Sequence, residues 1–176
     1  MVFNLQVSNP HYNKKIDLED ESITEAMETI YPLFNEKAIM VWNNIYIPLC
    51  FKYDISVMIP DIIIMLKLLQ QKESGEQVVI WPSDTFEALW DIKWNGDRVN
   101  ITSSWKSVVG SLENILNENH EIQIAKNSFL SEWKMLLKKI VDAITEVGYE
   151  QKNLPDLIEL INLESSITGY GELYKD

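Results

Sequence analysis

Residues 86–105 constrain the fold of this chain more than any other stretch. Apolar side chains occupy alternate positions from Phe86 to Trp94, and they alternate again after the dipeptide Asn95-Gly96. A period of two is typical of a strand with one buried face. Asn-Gly between two such runs is a strong signal for a tight type I′ turn. The stretch therefore predicts a β-hairpin with one face in the core and the other in water.

A two-residue loop at Asn95-Gly96 fixes an expected register for this hairpin. The register places apolar residues opposite each other in three pairs: Ile92 with Val99, Trp90 with Ile101, and Phe86 with Trp105. Polar side chains occupy the opposite face: Glu87, Asp91, Asn100, Thr102 and Ser104. A sheet that is wet on one side is typical of antiparallel sheets covered by helices on the other. The same register sets Lys93 opposite Arg98, which is unfavourable because the charges are alike.

Further strands are predicted on both sides of this hairpin. Residues 39–42 and 45–47 flank Asn43-Asn44, and because Asn tolerates positive φ, we expect a second tight hairpin there. Its second strand is expected to continue through residues 49–53, with Pro48 marking a bulge or an edge position. Residues 78–81 and 122–124 are the other predicted strands.

Four helices are predicted from apolar periodicity and end signals. Ser22 and Glu25 have capping-box spacing, and the helix they begin, whose apolar face includes Phe34, should end or bend near Tyr31 because Pro32 follows. A central helix is expected over residues 56–71, with Pro60 tolerable only in its first turn. A long amphipathic helix is expected over residues 129–147, capped by Asn127 or Ser128 and ended by Gly148. A short helix over residues 155–163 completes the set.

Length and composition favour one domain. The chain has 176 residues, of which 46% are hydrophobic, and this suffices for one sizeable core. We expect a single α+β domain over residues 1–176, mainly an antiparallel sheet with helices packed on one face and the long helix in the C-terminal half. Residues 165–176 are expected to form a loose tail.

The charge of the chain restricts its partners. It has 27 acidic residues against 15 basic ones, a net charge of −12, and Arg98 is its single arginine. Proteins that bind nucleic acid rely on clusters of Arg and Lys, so we expect no direct nucleic-acid binding. Repulsion from anionic lipid and the lack of a long apolar run predict no membrane association. A strong negative field favours a basic protein partner.

Motifs for catalysis or metal binding are missing from the sequence. Cys50 is the single cysteine, which excludes an intrachain disulfide and a zinc site made of several Cys. Residues 17–28 have the length of a calcium loop, but Ser22 stands at the sixth position, where such a loop needs Gly. No phosphate-binding glycine motif and no nucleophile elbow occurs. We therefore predict no enzyme, no cofactor and no metal, and the lack of a signal peptide predicts a cytoplasmic location.

Three stretches carry a resemblance to a known group of proteins: residues 42–47, 52–56 and 90–105, followed by the amphipathic helix that ends at Gly148-Tyr149. With these features, the acidic α+β chain resembles bacterial immunity proteins of contact-dependent growth inhibition and related polymorphic toxin systems. The resemblance implies a protein that binds one cognate toxin domain tightly and blocks its active site. It implies that the toxin domain is basic and is a nuclease acting on RNA or DNA.

Two surfaces are candidates for this contact. The first is the wet face and tip of the hairpin, and it comprises Glu87, Asp91, Trp94 and Asp97. Trp94 is expected to be exposed beside the turn, where a Trp ringed by acids would suit a binding hot spot. The second comprises Asp17, Glu19, Asp20 and Glu21. A regulatory or adaptor subunit without inhibitory activity, or a hydrolase with an acidic site, stays open as an alternative, as does the choice between monomer and homodimer.

Overall fold

The computed structural model describes residues 2–33 and 37–169 of the chain. Within these described residues, five α-helices and two antiparallel sheets make an α+β domain, as predicted. The strands are β1 (Phe3–Val7), β2 (Lys37–Trp42), β3 (Ile45–Cys50), β4 (Ser74–Ser83), β5 (Phe86–Asn95), β6 (Arg98–Val108) and β7 (Glu121–Ala125). The helices are α1 (Ile23–Ile30), α2 (Ser56–Gln71), α3 (Glu113–Glu118), α4 (Lys126–Val147) and α5 (Leu157–Ser166).

The first sheet has the strand order β1-β2-β3. Its hairpin turns at Asn43 and Asn44, which have φ values of 47° and 65°. Two consecutive residues with positive φ define a type I′ turn, so the predicted hairpin is confirmed. The β3 strand lies at the edge and contains Pro48, also as predicted, because an edge strand can spare one N–H. The β1 strand was not predicted from the sequence.

The second sheet has the strand order β4-β5-β6-β7 and contains the hairpin of residues 86–105. The predicted faces are correct, but the predicted register is wrong. Asn95 pairs with Arg98, so the two-residue loop is Gly96-Asp97, and Ile92 lies opposite Ile101 rather than Val99. Gly96 has φ 59°, while no positive φ occurs at Asp97, the pattern of a type II′ turn.

The corrected register moves the partner of each residue by two positions and therefore leaves the faces unchanged. It also removes the unfavourable pair, since Lys93 lies opposite Asn100. A bulge between Glu87 and Ala88 shifts the register once more, so that Phe86 pairs with Val108 instead of Trp105.

Helices α1 and α2 largely follow the prediction. The α1 helix begins after Ser22, whose Oγ accepts a hydrogen bond from the Glu25 amide at 3.2 Å, and it ends at Tyr31. Strand β3, however, stops at Cys50, and a π-helical turn, Phe51–Ile55, leads directly into α2. Pro60 therefore lies beyond the first turn of α2. It has no N–H to offer the carbonyl of Ser56, and that carbonyl accepts the Thr24 hydroxyl at 2.9 Å.

The long helix α4 begins earlier than predicted. Its N-cap is Ala125, without a side-chain cap, so the predicted caps Asn127 and Ser128 lie inside the helix. Gly148 ends the helix with φ 107°, as predicted. The α5 helix extends through Ser166, and the rest of the predicted loose tail lies mostly outside the described residues, as does Phe34. Among the described helices, none is long and apolar enough to cross a membrane.

One aromatic cluster joins the two sheets and the long helix. Trp42 of the first sheet contacts Trp90 and Trp105 of the second, with ring centroids 5.1 and 5.2 Å apart. Phe3 of β1 packs on Phe129 of α4 at 4.9 Å. These rings are at most 3% exposed and belong to one continuous core. Aromatic pairs of this kind stabilise a fold beyond the area that they bury, so the inner faces and α4 form one packed unit.

Candidate functional site

The outer face of the second sheet carries two of the predicted contact residues. Outward-pointing side chains alternate along β5, which places Glu87 and Asp91 on this face. Each is paired with a lysine: Glu87 with Lys106 at 3.0 Å and Asp91 with Lys93 at 3.5 Å. Surface ion pairs of this kind contribute little to stability, but they neutralise the acids that were expected to attract a partner.

The charge of this outer sheet face is nearly balanced. The outward-facing positions of its four strands carry four acids, Glu76, Glu87, Asp91 and Glu121, and three bases, Lys93, Arg98 and Lys106. The large negative excess of the chain therefore lies elsewhere on the molecule.

Trp94 is buried, so the prediction of an exposed tryptophan at the hairpin tip is wrong. Its side chain is 4% exposed and lies on the inner face with Trp90 and Ile92. The indole N–H donates to the Lys72 carbonyl at 3.0 Å. The ring lies over Gly75, its cross-strand partner, where a Cβ atom would be 2.4 Å from the ring. Because Gly75 has no side chain, the Trp94 ring has room to pack over this position and is buried there.

Asp97 lies in the turn at the end of the hairpin and is exposed. Its carbonyl accepts the Lys126 amide at 2.6 Å, which fixes the turn against the start of α4. The four residues of the first candidate surface are therefore not brought together. Glu87 and Asp91 share a face, Asp97 marks its end, and Trp94 points to the other side.

An exposed apolar strip on this face was not predicted. Val78 and Ile80 of β4 are 56% and 58% exposed, and Leu89 of β5 is 39% exposed. Ile80 lies directly opposite Leu89, and Val78 lies opposite Asp91. We call these three residues the outer strip. The signal for this strip in the sequence is a run of four apolar residues, Val78-Val79-Ile80-Trp81. In a strand such a run places apolar side chains on both faces.

The second candidate surface has a defined local structure. Asp17 accepts the Glu19 amide at 3.0 Å, a short turn closed by its own side chain. The hydroxyl of Tyr149, just after α4, accepts a hydrogen bond from the Asp17 amide at 3.1 Å and donates one to the Asp20 carboxylate. Burial, and then this hydrogen bond to Asp20, raises the pKa of Tyr149 to about 12. The segment is thereby anchored to the end of the long helix.

The predicted capping box orders the second half of this segment. The Glu25 carboxylate accepts the Glu21 amide and the Ser22 hydroxyl, each at 2.9 Å. These bonds, that of Glu21 first, lower the pKa of Glu25 because they favour its charged form. The carboxylates of Asp20 and Glu25 therefore accept hydrogen bonds from the protein itself, whereas other acids of the segment face solvent.

The exposed acids of the segment have no basic neighbour. Among the described residues, no ion pair involves Asp17, Glu19 or Glu21, and all three side chains are exposed. Leu18 stands between two of them and is 82% exposed. Leu18 was not predicted to be a contact residue, although a single apolar residue between acids in a loop is a visible signal. An exposed leucine flanked in the chain by Asp17 and Glu19, which have no ion pair among the described residues, is unlike the paired acids on the sheet.

An apolar groove of about 190 Å³ runs beside this segment, between the start of α1, α2 and the start of α5. The residues that line it are Ser22, Ile23, Thr24, Ile59, Pro60, Ile63, Ile64, Asp156 and Glu159. Asp61 follows Pro60, and burial raises the pKa of its carboxyl. The nearest base along α2, Lys67, is paired with Glu159 at 2.5 Å. We call residues 17–28 together with Asp61, Asp156 and Glu159 the acidic flank.

Metal binding finds no support in the geometry of the described residues. No group of three or more His, Cys, Asp or Glu side chains is arranged to hold a metal ion there. The most buried carboxylate, Asp54, is 1% exposed and accepts the Cys50 amide and the hydroxyls of Ser83 and Thr85, at 2.5 to 2.7 Å. These bonds tie the β4–β5 turn to the π-helical turn, which is a structural task.

No family model, no curated protein and no solved structure matches this chain. The resemblance to bacterial immunity proteins therefore stays a prediction. A function for the chain has to be inferred from its own surfaces: the acidic flank, with its groove and Leu18, and the outer sheet face, with its apolar strip.

Proposed function

We propose that this chain is an immunity protein that binds a basic toxin domain, a nuclease, through the acidic flank and neutralises it. The observation that carries the proposal is a concentration of carboxylates beside an apolar groove, in which Asp17, Glu19 and Glu21 have no ion pair among the described residues. Residues 17–28 contain six acids and no base, and exposed Leu18 lies among them. Protein interfaces combine an apolar centre with a polar rim in this way.

The charge pattern suits a nuclease as the partner. A nuclease active site attracts phosphate and is therefore lined with positive charge. Carboxylates held at a fixed surface can occupy such a site in place of phosphate, and a strong negative field accelerates the encounter. The hydrogen bonds from Tyr149 and Ser22 hold this segment in one conformation. Preorganisation reduces the entropy lost on binding.

The acidic flank is a better contact surface for a basic partner than the outer sheet face. Glu87 and Asp91 on the sheet already have lysine partners, whereas Glu19 and Glu21 have none among the described residues. A basic partner approaching the sheet would meet Lys93 and Lys106 as well as the acids. Like charges brought together at an interface oppose binding.

A regulatory or adaptor subunit is the alternative proposal, since it would use the same surface. The two differ in what happens to the partner. An inhibitor silences the partner's activity while it is bound, whereas an adaptor leaves that activity intact.

The test is co-expression with the protein encoded immediately upstream, followed by affinity capture and a nuclease assay. We expect a stoichiometric complex that is inactive until the acidic chain is stripped away. A complex with full nuclease activity would favour the adaptor, and failure to capture any partner would contradict both proposals.

Charge reversal then locates the contact surface. The double variant Glu19→Lys with Glu21→Lys should associate with the partner about tenfold more slowly at low salt, because it removes steering charge. The matched control, Glu73→Lys with Glu118→Lys, makes the same change in net charge at exposed positions away from residues 17–28. Equal slowing in both variants would show that net charge acts without a local contact at the acidic flank.

A further inference from the structure

In the part of the chain that the structure describes, three of the four sheet edges are poorly suited to pair with another chain. The edge strands β1 and β7 have five residues each, and β3 contains Pro48, which lacks an N–H. Short edges and edge prolines are the usual means by which proteins prevent unwanted strand pairing.

Strand β4 is the exception. It has ten residues, its single charge is Glu76, and its one proline, Pro82, lies near the end. Of the described strands, only β5 pairs with it. Its outward side chains Val78 and Ile80 are more than half exposed. A long edge with apolar side chains and no blunting charge over residues 77–81 is a template for another strand.

The charge around β4 indicates which partner can approach it. A second copy of this chain also carries a net charge of −12, so two copies repel each other over most orientations. The outer sheet face is nearly neutral, with its four acids against three bases. Charges farther away than the Debye length, about 8 Å at physiological salt, are largely screened. Two copies can therefore meet at the β4 edge of this face, whereas a basic partner gains little there.

We propose that β4 pairs antiparallel with β4 of a second copy and forms a symmetric homodimer. A two-fold axis at Val79 joins the two sheets into one of eight strands and places Val78 opposite Ile80 of the second copy. Glu76 then lies opposite Pro82, so no like charges face each other across the new pair. The outer strips of both copies merge, as expected for an isologous interface. No residue of the acidic flank belongs to β4.

The test is the mass of the full chain in solution, measured by light scattering or sedimentation from about 1 µM to about 500 µM. We expect a dimer whose affinity rises with salt, because screening weakens the repulsion between two acidic copies. In Ile80→Lys the dimer should weaken by about tenfold, since an edge-strand lysine opposes strand pairing and symmetry places it opposite Val78 twice. The matched control is Tyr46→Lys on edge strand β3, where Tyr46 is 61% exposed, and it should dimerise like the wild type.

Amide hydrogen exchange on the unmodified chain gives a second readout that does not depend on a variant. Protection of the β4 amides should increase with protein concentration, whereas that of β3 should not. A monomer throughout the concentration range, or an Ile80→Lys variant that dimerises like the wild type, would overturn the dimer. The toxin proposal is tested separately, because Ile80→Lys should still bind the partner and Glu19→Lys with Glu21→Lys should still dimerise.

Discussion

Gly75 and Trp94 form a matched pair across β4 and β5. The indole ring occupies the space that a side chain at position 75 would need. It also covers the end of α2 by donating its N–H to the Lys72 carbonyl. Because φ at Gly75 is not positive, the position needs glycine for its lack of a Cβ atom and not for its backbone freedom.

Replacing this glycine should therefore displace the tryptophan. In Gly75→Ala the new Cβ would lie 2.4 Å from the Trp94 ring. Overpacking of this kind costs about 1 to 3 kcal/mol, and we expect that loss in the free energy of unfolding measured with urea. Tryptophan fluorescence should shift to longer wavelength as the ring becomes more exposed. The neighbouring variant Ser74→Ala is the control, and equal stability of the two variants would show that the ring moves aside at no cost.

The conformation of a single residue could be predicted where it depends on residues close by in the chain. The positive φ values of Asn43 and Asn44 and the capping of α1 by Ser22 are of this kind, since each depends on contacts a few residues away. The burial of Trp94 depends on Gly75, which the fold brings opposite it across two strands. No local pattern contains that information, and for this reason the prediction that Trp94 is exposed was wrong.

Strand β1 and helix α4 are joined by a buried carboxylate. Glu132 is 8% exposed and accepts the side-chain amide of Asn4 at 2.6 Å and the backbone amide of Leu5 at 3.1 Å. Burial raises the pKa of this carboxyl above its ordinary value of 4.5, and the two hydrogen bonds partly offset the rise. The N-terminal strand is thus held on α4 by a group that folding makes harder to ionise.

This clamp predicts a dependence of stability on pH. The folded state binds the Glu132 proton more tightly than the unfolded state does, so stability falls as pH rises from about 4.5 through the raised pKa. Glu132→Gln cannot ionise and keeps an acceptor oxygen, so its unfolding free energy relative to the wild type should increase from pH 5 to pH 8. Urea titrations at both pH values measure the difference. A difference that is constant or decreases with pH would contradict a raised pKa.

Whole helices and hairpins could be predicted where a periodic apolar pattern and the residues that end it lie close together in the chain. The α1 helix and the hairpin around Asn43-Asn44 are examples. The π-helical turn at Phe51–Ile55 and the division into two sheets were not predicted, since both depend on how distant segments pack. The ion pair between Glu87 and Lys106 depends on the bulge between Glu87 and Ala88, and composition does not predict where that bulge lies.

On the scale of the whole molecule, negative charge is distributed unevenly. Residues 17–28 hold six acids without a base, whereas the outer sheet face is almost neutral. We propose a basic partner for the first surface and a copy of the same chain for the edge of the second. The sequence predicts the net charge, but the pairing of acids with lysines on the sheet appears only when the strands are in register.

This uneven distribution predicts how salt affects the stability of the isolated chain. Repulsion among unpaired acids destabilises the compact state, so raising NaCl from about 20 to about 300 mM should stabilise the wild type by about 0.5 to 1 kcal/mol. Glu19→Lys with Glu21→Lys replaces two acids that have no ion pair among the described residues and should lose most of this salt effect. Glu73→Lys with Glu118→Lys should keep more of it, although the net charge is the same. Unfolding measured by urea at low protein concentration, below the range of dimer formation, gives the comparison. Equal loss of the salt effect in both variants would mean that the repulsion is spread over the molecule and that the acidic flank holds no special excess.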